Sequence, residues 1–548
     1  MKILFNKLCV VGALGLFMLQ SCETTNLDLT KNPNALSPEQ ASPDFLLNGI
    51  QEEFARNVET MGETAAQLVR IEYMFGRSYA NNYQPNSFDD VWRIAYTEMF
   101  TDINAMTPGA EESGLYYHVA MGQFMKAFML TALVDFFGDI PYSEANLGAD
   151  NFNPNVDSGA SVYEAALGLI DEAISNFNKN SAALPQNDFF YDGDADAWIK
   201  ACNTLKMRLY MNTRVSSGGA SLTAFNAIVN SGNFINETEE DFQFYWGTNV
   251  VQPDTRHPRY GRNYAPSGGA ADYMSIDQMN YMSVNNDPRI RYYFYRQNEV
   301  TPGQDGSEPA LETLQCSLQE PPAHYAGFPF CGLPNGYWGR DHGNNEGTPP
   351  DGFLRTTVGV YPFGGKFDDS TFEGMLLGDG GGGAGITPIM LASSSWFMLA
   401  EARLANGDTP GAKDAMLEAV ELSVDKVIAF GGVDPGYDDS FEPTPTEIED
   451  HLDLIDLAFD ADATGGWNVL GREFFTALYG NGIEGYNYYR RTRYPSNLQP
   501  NIEPNPGDFI LSFYYPANFV NNNSSVPQKP NLTKPPFWAE GIGEPFSK

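Results

Sequence analysis

Five cysteines and five histidines in 548 residues leave little material for metal or thiol chemistry. No histidine pair has HExxH spacing and no CxxC pair occurs, so no metal site is predicted. A GxSxG nucleophile elbow is also missing. Gly378–Gly383 fits GxGxxG, but Pro388 follows soon after and no strand pattern precedes it, so a flexible loop around Gly381–Gly383 is expected. Gly364, Gly365 and Lys366 fail as a phosphate loop because Phe367 stands where Ser or Thr is needed. Asp192, Asp194 and Asp196 alternate like a calcium loop, yet Ala197 replaces the turn glycine and Asn203 the closing glutamate. These gaps predict no enzymatic centre and no cofactor. Positive charge is scarce as well: 32 Lys and Arg face 70 Asp and Glu, a net charge of -38. Nucleic-acid affinity comes largely from cations displacing counterions, so such a chain is a poor partner for DNA or RNA.

Long apolar runs are confined to the start. Lys2 and Lys7 precede an apolar stretch from Leu8 to Leu19, the pattern of a secretory signal and too short for a membrane span. The run ends Leu19, Gln20, Ser21, Cys22, which resembles a bacterial lipobox. The expectation is a lipoprotein signal peptide over 1–21, lipid attachment at Cys22 through diacylglycerol and a further chain such as palmitate, and a Pro-punctuated tether over 22–43. Cys202 lies in a helical pattern and reads as a buried thiol. Cys316 and Cys331 sit in a Gly- and Pro-rich stretch of an exported chain, where a disulfide would contribute about 3 kcal/mol.

What the chain has in quantity is helical periodicity. Met121, Phe124, Met125, Phe128, Met129, Ala132, Leu133 and Phe136 recur at three- and four-residue steps until Gly138 and Pro141. Similar patterns cover 162–177, 197–213, 389–405, 411–430, 446–459 and 469–478. Consecutive pairs predict a mainly α fold, a tetratricopeptide-like scaffold of stacked helix pairs. From 231 to 387 the pattern gives way to Gly, Pro, Asn and aromatic residues with short β-like runs such as Arg291–Tyr295. We read 44–548 as one domain, with a helical scaffold over 44–230 and 388–548 and an irregular ligand-binding segment over 231–387.

Five segments carry a resemblance. DFFGDIPYSEA (135–145), WIKACNTLKMRLYMN (198–212), WFMLAEARLANG (396–407), YYRRTRYP (488–495) and YYPANFVNNNSSVPQ (514–528) resemble, in order, motifs of the SusD/RagB family. Arg493 departs from that pattern, which has glycine, and is expected to alter a local turn. In residue terms the motifs are structural: Trp198 and Trp396 pack helices, and Arg490 and Arg491 pair with acids or cap carbonyls. The resemblance implies a non-enzymatic outer-membrane lipoprotein facing the extracellular side. It would bind oligosaccharides and deliver them to a SusC-like TonB-dependent transporter. Capture of peptides, as in RagB-like relatives, is the alternative; a secreted glycoside hydrolase or a structural helical-repeat adaptor ranks lower.

Sugars present apolar faces ringed by hydroxyls, so a capture site pairs aromatic rings with short polar groups. Two clusters offer that mixture. Tyr325, Tyr337, Trp338 and Arg340, with Asn335 and Asp341, surround the expected disulfide loop; Arg77, Tyr79 and Tyr83, with Asn82, precede the Trp92 helix.

Overall fold

Several scaffold helices, those after Ser158, Asp194, Asp408 and Thr444, start where a short side chain closes their first free N–H groups. In the computed structural model, which describes residues 41–264, 270–304, 316, 319–347, 352–543 and 545, α1 spans Pro43–Leu68, α2 Phe100–Glu112 and α3 Tyr116–Phe137. The signal segment, Cys22 and the tether to residue 40 lie outside the described residues. Ser158 accepts from the Ser161 amide ahead of α4, Gly159–Phe177. Asp194 accepts from the Asp196 and Ala197 amides ahead of α5, Ala195–Thr213, so two of the alternating aspartates serve a helix start. A short α6, Ala220–Ser231, completes this half.

Helix α3 is apolar all round and passes between α2 and α4. It has the length and composition to cross a membrane, but 89% of its apolar window is buried inside the protein. Its end is set by Gly138, at φ 79°. The second half repeats the pairing: α8, Ala392–Ala405, packs along α9, Thr409–Ala429. Then come α10, Pro445–Ala461, opened by a Thr444–Glu447 capping box, α11, Trp467–Ala477, and α12, Ile483–Thr492.

Between the halves lie α7, Ile276–Val284, and four short strands in two antiparallel pairs: β1 (Phe242–Tyr245), β2 (Phe294–Tyr295), β3 (Thr357–Val358) and β4 (Ile386–Met390). β1 pairs with β4, Tyr245 opposite Ile386, and β2 with β3, Phe294 opposite Val358. Three expectations are corrected here. Arg291–Tyr293 belongs to a helical turn, leaving only Phe294 and Tyr295 as strand. Ile389 does not begin a helix: Ile386, Thr387 and Pro388 favour an extended chain, and helix starts at Ala392. The Gly381–Gly383 run is pinned rather than loose, because the Gly381 and Gly383 amides donate to Gly365 and Gly364 carbonyls. A Cβ on neighbouring Gly380 would fall 2.1 Å from the Gly365 carbonyl oxygen, so glycine is needed for that approach.

Buried ion pairs join the halves. Glu401 on α8 takes the Arg491 guanidinium of α12 at 2.7 Å and Arg214, just past α5, at 3.0 Å; Glu401 and Arg491 are wholly buried. Arg490 donates to the Asp135 and Leu511 carbonyls. Arg493 ends α12 in the left-handed region at φ 68° and donates to the Ile542 and Gly543 carbonyls. It thus keeps the turn that glycine would make, at a conformational cost of about 1–2 kcal/mol. Asp135 on α3 accepts from Tyr163 of α4, Arg208 of α5, Asn487 of α12 and the Trp538 indole near the C-terminus. Trp198 and Cys202 are fully buried on α5, and half-buried Trp396 donates to the Asn236 carbonyl at 3.2 Å.

Candidate functional site

The two aromatic clusters chosen from sequence do meet, but mostly underground. Tyr79 opens a helical turn over 79–82, capped by Ser78, that directs its ring inward. There it is fully buried, 6.0 Å from the His342 ring, with its hydroxyl 3.2 Å from Arg70. Burial, with the Arg70 charge adding to it, pushes the His342 imidazole well below its usual pKa, so it stays neutral. Tyr325 donates to the Pro500 carbonyl and is 1% exposed. Tyr83 packs edge-on to Phe513 and donates to Gln67 at 3.0 Å.

Cys316 and Cys331 form a disulfide, and with Trp338 they make a small apolar cluster flanked by Phe330 and Phe353. Arg355 stacks on the Trp338 ring at 4.5 Å, while Arg340 lies over Tyr273 at 4.3 Å and donates to the Gly347 carbonyl. Asp341 accepts from the Cys331 amide and from Gln499, and burial pushes its carboxyl up to about 7. Tyr337 faces away from this cluster, under Arg296, and lines a separate hollow.

Of the residues expected to bind ligand, Trp338, Tyr337, Tyr325, Arg340, Tyr83 and Tyr79 do not form an open platform. All six are buried, because aromatic rings and guanidinium faces in this segment pack on one another to replace a regular core. Of the seven residues only Arg77 reaches solvent, with 56% of its side chain exposed.

Arg77 donates to Asn345 at 2.8 Å and lies 3.7 Å from Glu503. Beside it is a hollow of about 140 Å³ lined by Gln319, Glu320, Pro322, Phe330 and Ile502. The same loop also lines a second hollow of about 100 Å³, with Glu63, Gln67, Tyr73 and Phe75. The loop is held rigid: the Tyr73 hydroxyl donates to the Asn344 carbonyl, the Gly343 amide donates to the Met74 carbonyl, and Glu72 pairs with Arg259. Phe75 projects from it, 38% exposed, and Gly76 at φ 91° lets the chain turn so that Arg77 follows. Sequence reasoning missed Phe75; its only signal was an aromatic residue next to a glycine in a break between helices. An exposed ring, a guanidinium and flanking amides and carboxylates can stack a sugar face and bond its hydroxyls.

Residues 33–312, just over half the chain, match the SusD-like family model described as starch-binding associating with outer membrane. Among solved structures, a SusD/RagB family protein from Bacteroides thetaiotaomicron VPI-5482 is 18% identical, with a TM-score of 0.64 over 91% of this chain and 99% of that one. A chitin-binding SusD homologue from Flavobacterium johnsoniae is 16% identical, with a TM-score of 0.63 over 91% and 99%. A SusD homologue from Bacteroides uniformis ATCC 8492 is 19% identical, at 0.61 over 90% and 99%. At these identities the likeness establishes the fold. No curated protein matches the chain.

Proposed function

Because this chain belongs to the SusD-like family, a family of binding proteins rather than enzymes, we propose that it captures oligosaccharides and hands them to a partner transporter. In this reading Cys22 carries the lipid anchor, the protein sits on the extracellular side of the outer membrane, and the partner is a SusC-like TonB-dependent transporter. The observation that carries the capture step is the rigid Phe75–Gly76–Arg77 strip beside two polar hollows. A preorganised aromatic and a planar cation bind a sugar with little entropy left to lose. The family description names starch, and the Flavobacterium johnsoniae homologue is chitin-binding, so both glycans belong in the test.

Calorimetry on residues 23–548 against malto- and chito-oligosaccharides, with product analysis, should give saturable binding of one glycan class and no turnover. Phe75→Ala should weaken it about five-fold, the equivalent of roughly 1 kcal/mol of ring stacking. Binding of peptides alone would transfer the role to peptide capture, and turnover abolished by mutating one acid pair would make the protein a hydrolase. Protease shaving of intact cells checks the outward display; a fully protected protein refutes it.

A further inference from the structure

A much larger hollow, of about 740 Å³, lies where α7 ends and α10 begins. That volume is within the range of about 300–1,000 Å³ typical of small-ligand sites. One wall is Ser283, Asn285 and Asn286; the other is Ser440, Phe441 and the first turns of α10. Its charge is lopsided. Asp287, Glu442, Glu447 and Asp450 line it against the single cation Arg291.

The commitments of these groups differ. Asp287 is held by Arg289 at 2.6 Å, and Glu447 by the Thr444 amide at 2.8 Å in the helix cap. Glu442 and Asp450 are exposed, and Glu442 accepts from the Tyr437 hydroxyl at 2.9 Å. Arg291 places Nη1 on the Asp368 carbonyl and Ser370, with its flat face 4.9 Å over Phe441. His451 lines the floor with its side chain wholly buried. Its Nδ1 donates to the Asn285 carbonyl at 3.1 Å, and its Nε2, 3.9 Å from Asp287, has no hydrogen-bond partner. The hollow is thus rich in carboxylates, four acids against one guanidinium. A ligand bringing N–H groups and positive charge complements that imbalance.

The remaining chemistry narrows the ligand further. Hydroxyl and amide side chains match sugar hydroxyls, and the half-buried Phe441 ring, with Tyr337 at the edge, matches a sugar's apolar face. We propose that this hollow is a second binding site, for oligosaccharides whose sugars carry free, protonated amino groups. The ligand class rests on the glycan-capture reading, while the site is separate from the Phe75–Arg77 strip. The same carboxylate wall repels uronic-acid and sulfated glycans.

The test is calorimetry on the full chain with a glucosamine tetramer, its fully N-acetylated counterpart and a galacturonate tetramer, at low and high salt. The glucosamine tetramer should bind at least ten-fold more tightly than the galacturonate tetramer and weaken as salt rises. Asp450→Asn combined with Glu442→Gln, both at exposed positions, should reduce glucosamine binding at least ten-fold, with an unchanged melting temperature as the fold control. Phe75→Ala should leave that binding unchanged. Failure of the glucosamine tetramer to bind, or equal binding by the double variant, overturns the proposal. Loss of glucosamine binding in Phe75→Ala also overturns it, by moving the ligand to the strip. If neutral glycans fail to bind while the glucosamine tetramer binds as described, only the capture role of the strip falls.

Discussion

Lys529 should make the protein more stable at alkaline pH, and replacing it should reverse the order of two melting curves. Lys529 is 9% exposed, and its amine donates to the Phe137 carbonyl and Ser512 hydroxyl, both at 2.8 Å. Burial, with Lys534 and Arg490 adding repulsion against the opposing pull of Asp139, lowers its pKa to about 7 from 10.5. Between those values the unfolded chain holds a proton that the folded chain has released, so stability rises with pH from about 7 to about 10.5. At about 1.4 kcal/mol per pH unit, the native state below pH 7 bears about 5 kcal/mol that it does not bear above 10.5. Lys529→Met removes that penalty and leaves two acceptors without a donor, a loss of about 1–3 kcal/mol. The variant should therefore melt about 2–4 °C higher at pH 6, taking roughly 1 kcal/mol per degree for a chain of this size, and lower than the wild type near pH 10.5. Other groups that titrate, such as the buried carboxyls of Glu53 and Asp341 raised to about 7, are common to both proteins and cancel in the difference. A difference in melting temperature that stays constant from pH 6 to pH 10.5 refutes the reasoning.

Other substitutions test the packing. Glu401→Gln strands Arg491 and Arg214 and should cost about 3–5 kcal/mol, read as a drop of several degrees in the melting temperature; a drop below one degree contradicts the buried pairing. Trp338→Ala removes a ring that is 1% exposed and should cost about 3–5 kcal/mol while glycan affinity per folded molecule stays the same; lost affinity with an intact melt would return Trp338 to the ligand site. Arg493→Gly relieves the left-handed strain but frees the chain near Ile542 and Gly543, so limited proteolysis should clip the C-terminus sooner than in the wild type.

The helices were legible because apolar spacing of three and four residues is a local signal, and α3, α5 and α8 appear near where Met121, Trp198 and Trp396 placed them. The strand at Ile386–Met390 was not, since Ile389 and Met390 lead straight into a helix and differ little from an earlier helix start. The site was harder for a physical reason: composition cannot say which way a ring points. Tyr79 and Phe75 are four residues apart in one loop, yet one lies against His342 and the other in solvent. The partners that bury Tyr325 and Trp338, Pro500 and Arg355, lie far from any motif that carries them. The acceptor-rich hollow joins residues near 285 to residues near 445, a pairing that no sequence spacing announces.

Asp135 also sets an order of events in time. One of its hydrogen bonds reaches Trp538, 403 positions later, so the first helix layers lack a member of their own centre until Trp538 has been synthesised. A nascent or truncated chain ending before Trp538 carries a buried carboxylate short of one donor, and full packing around Asp135 waits for that residue.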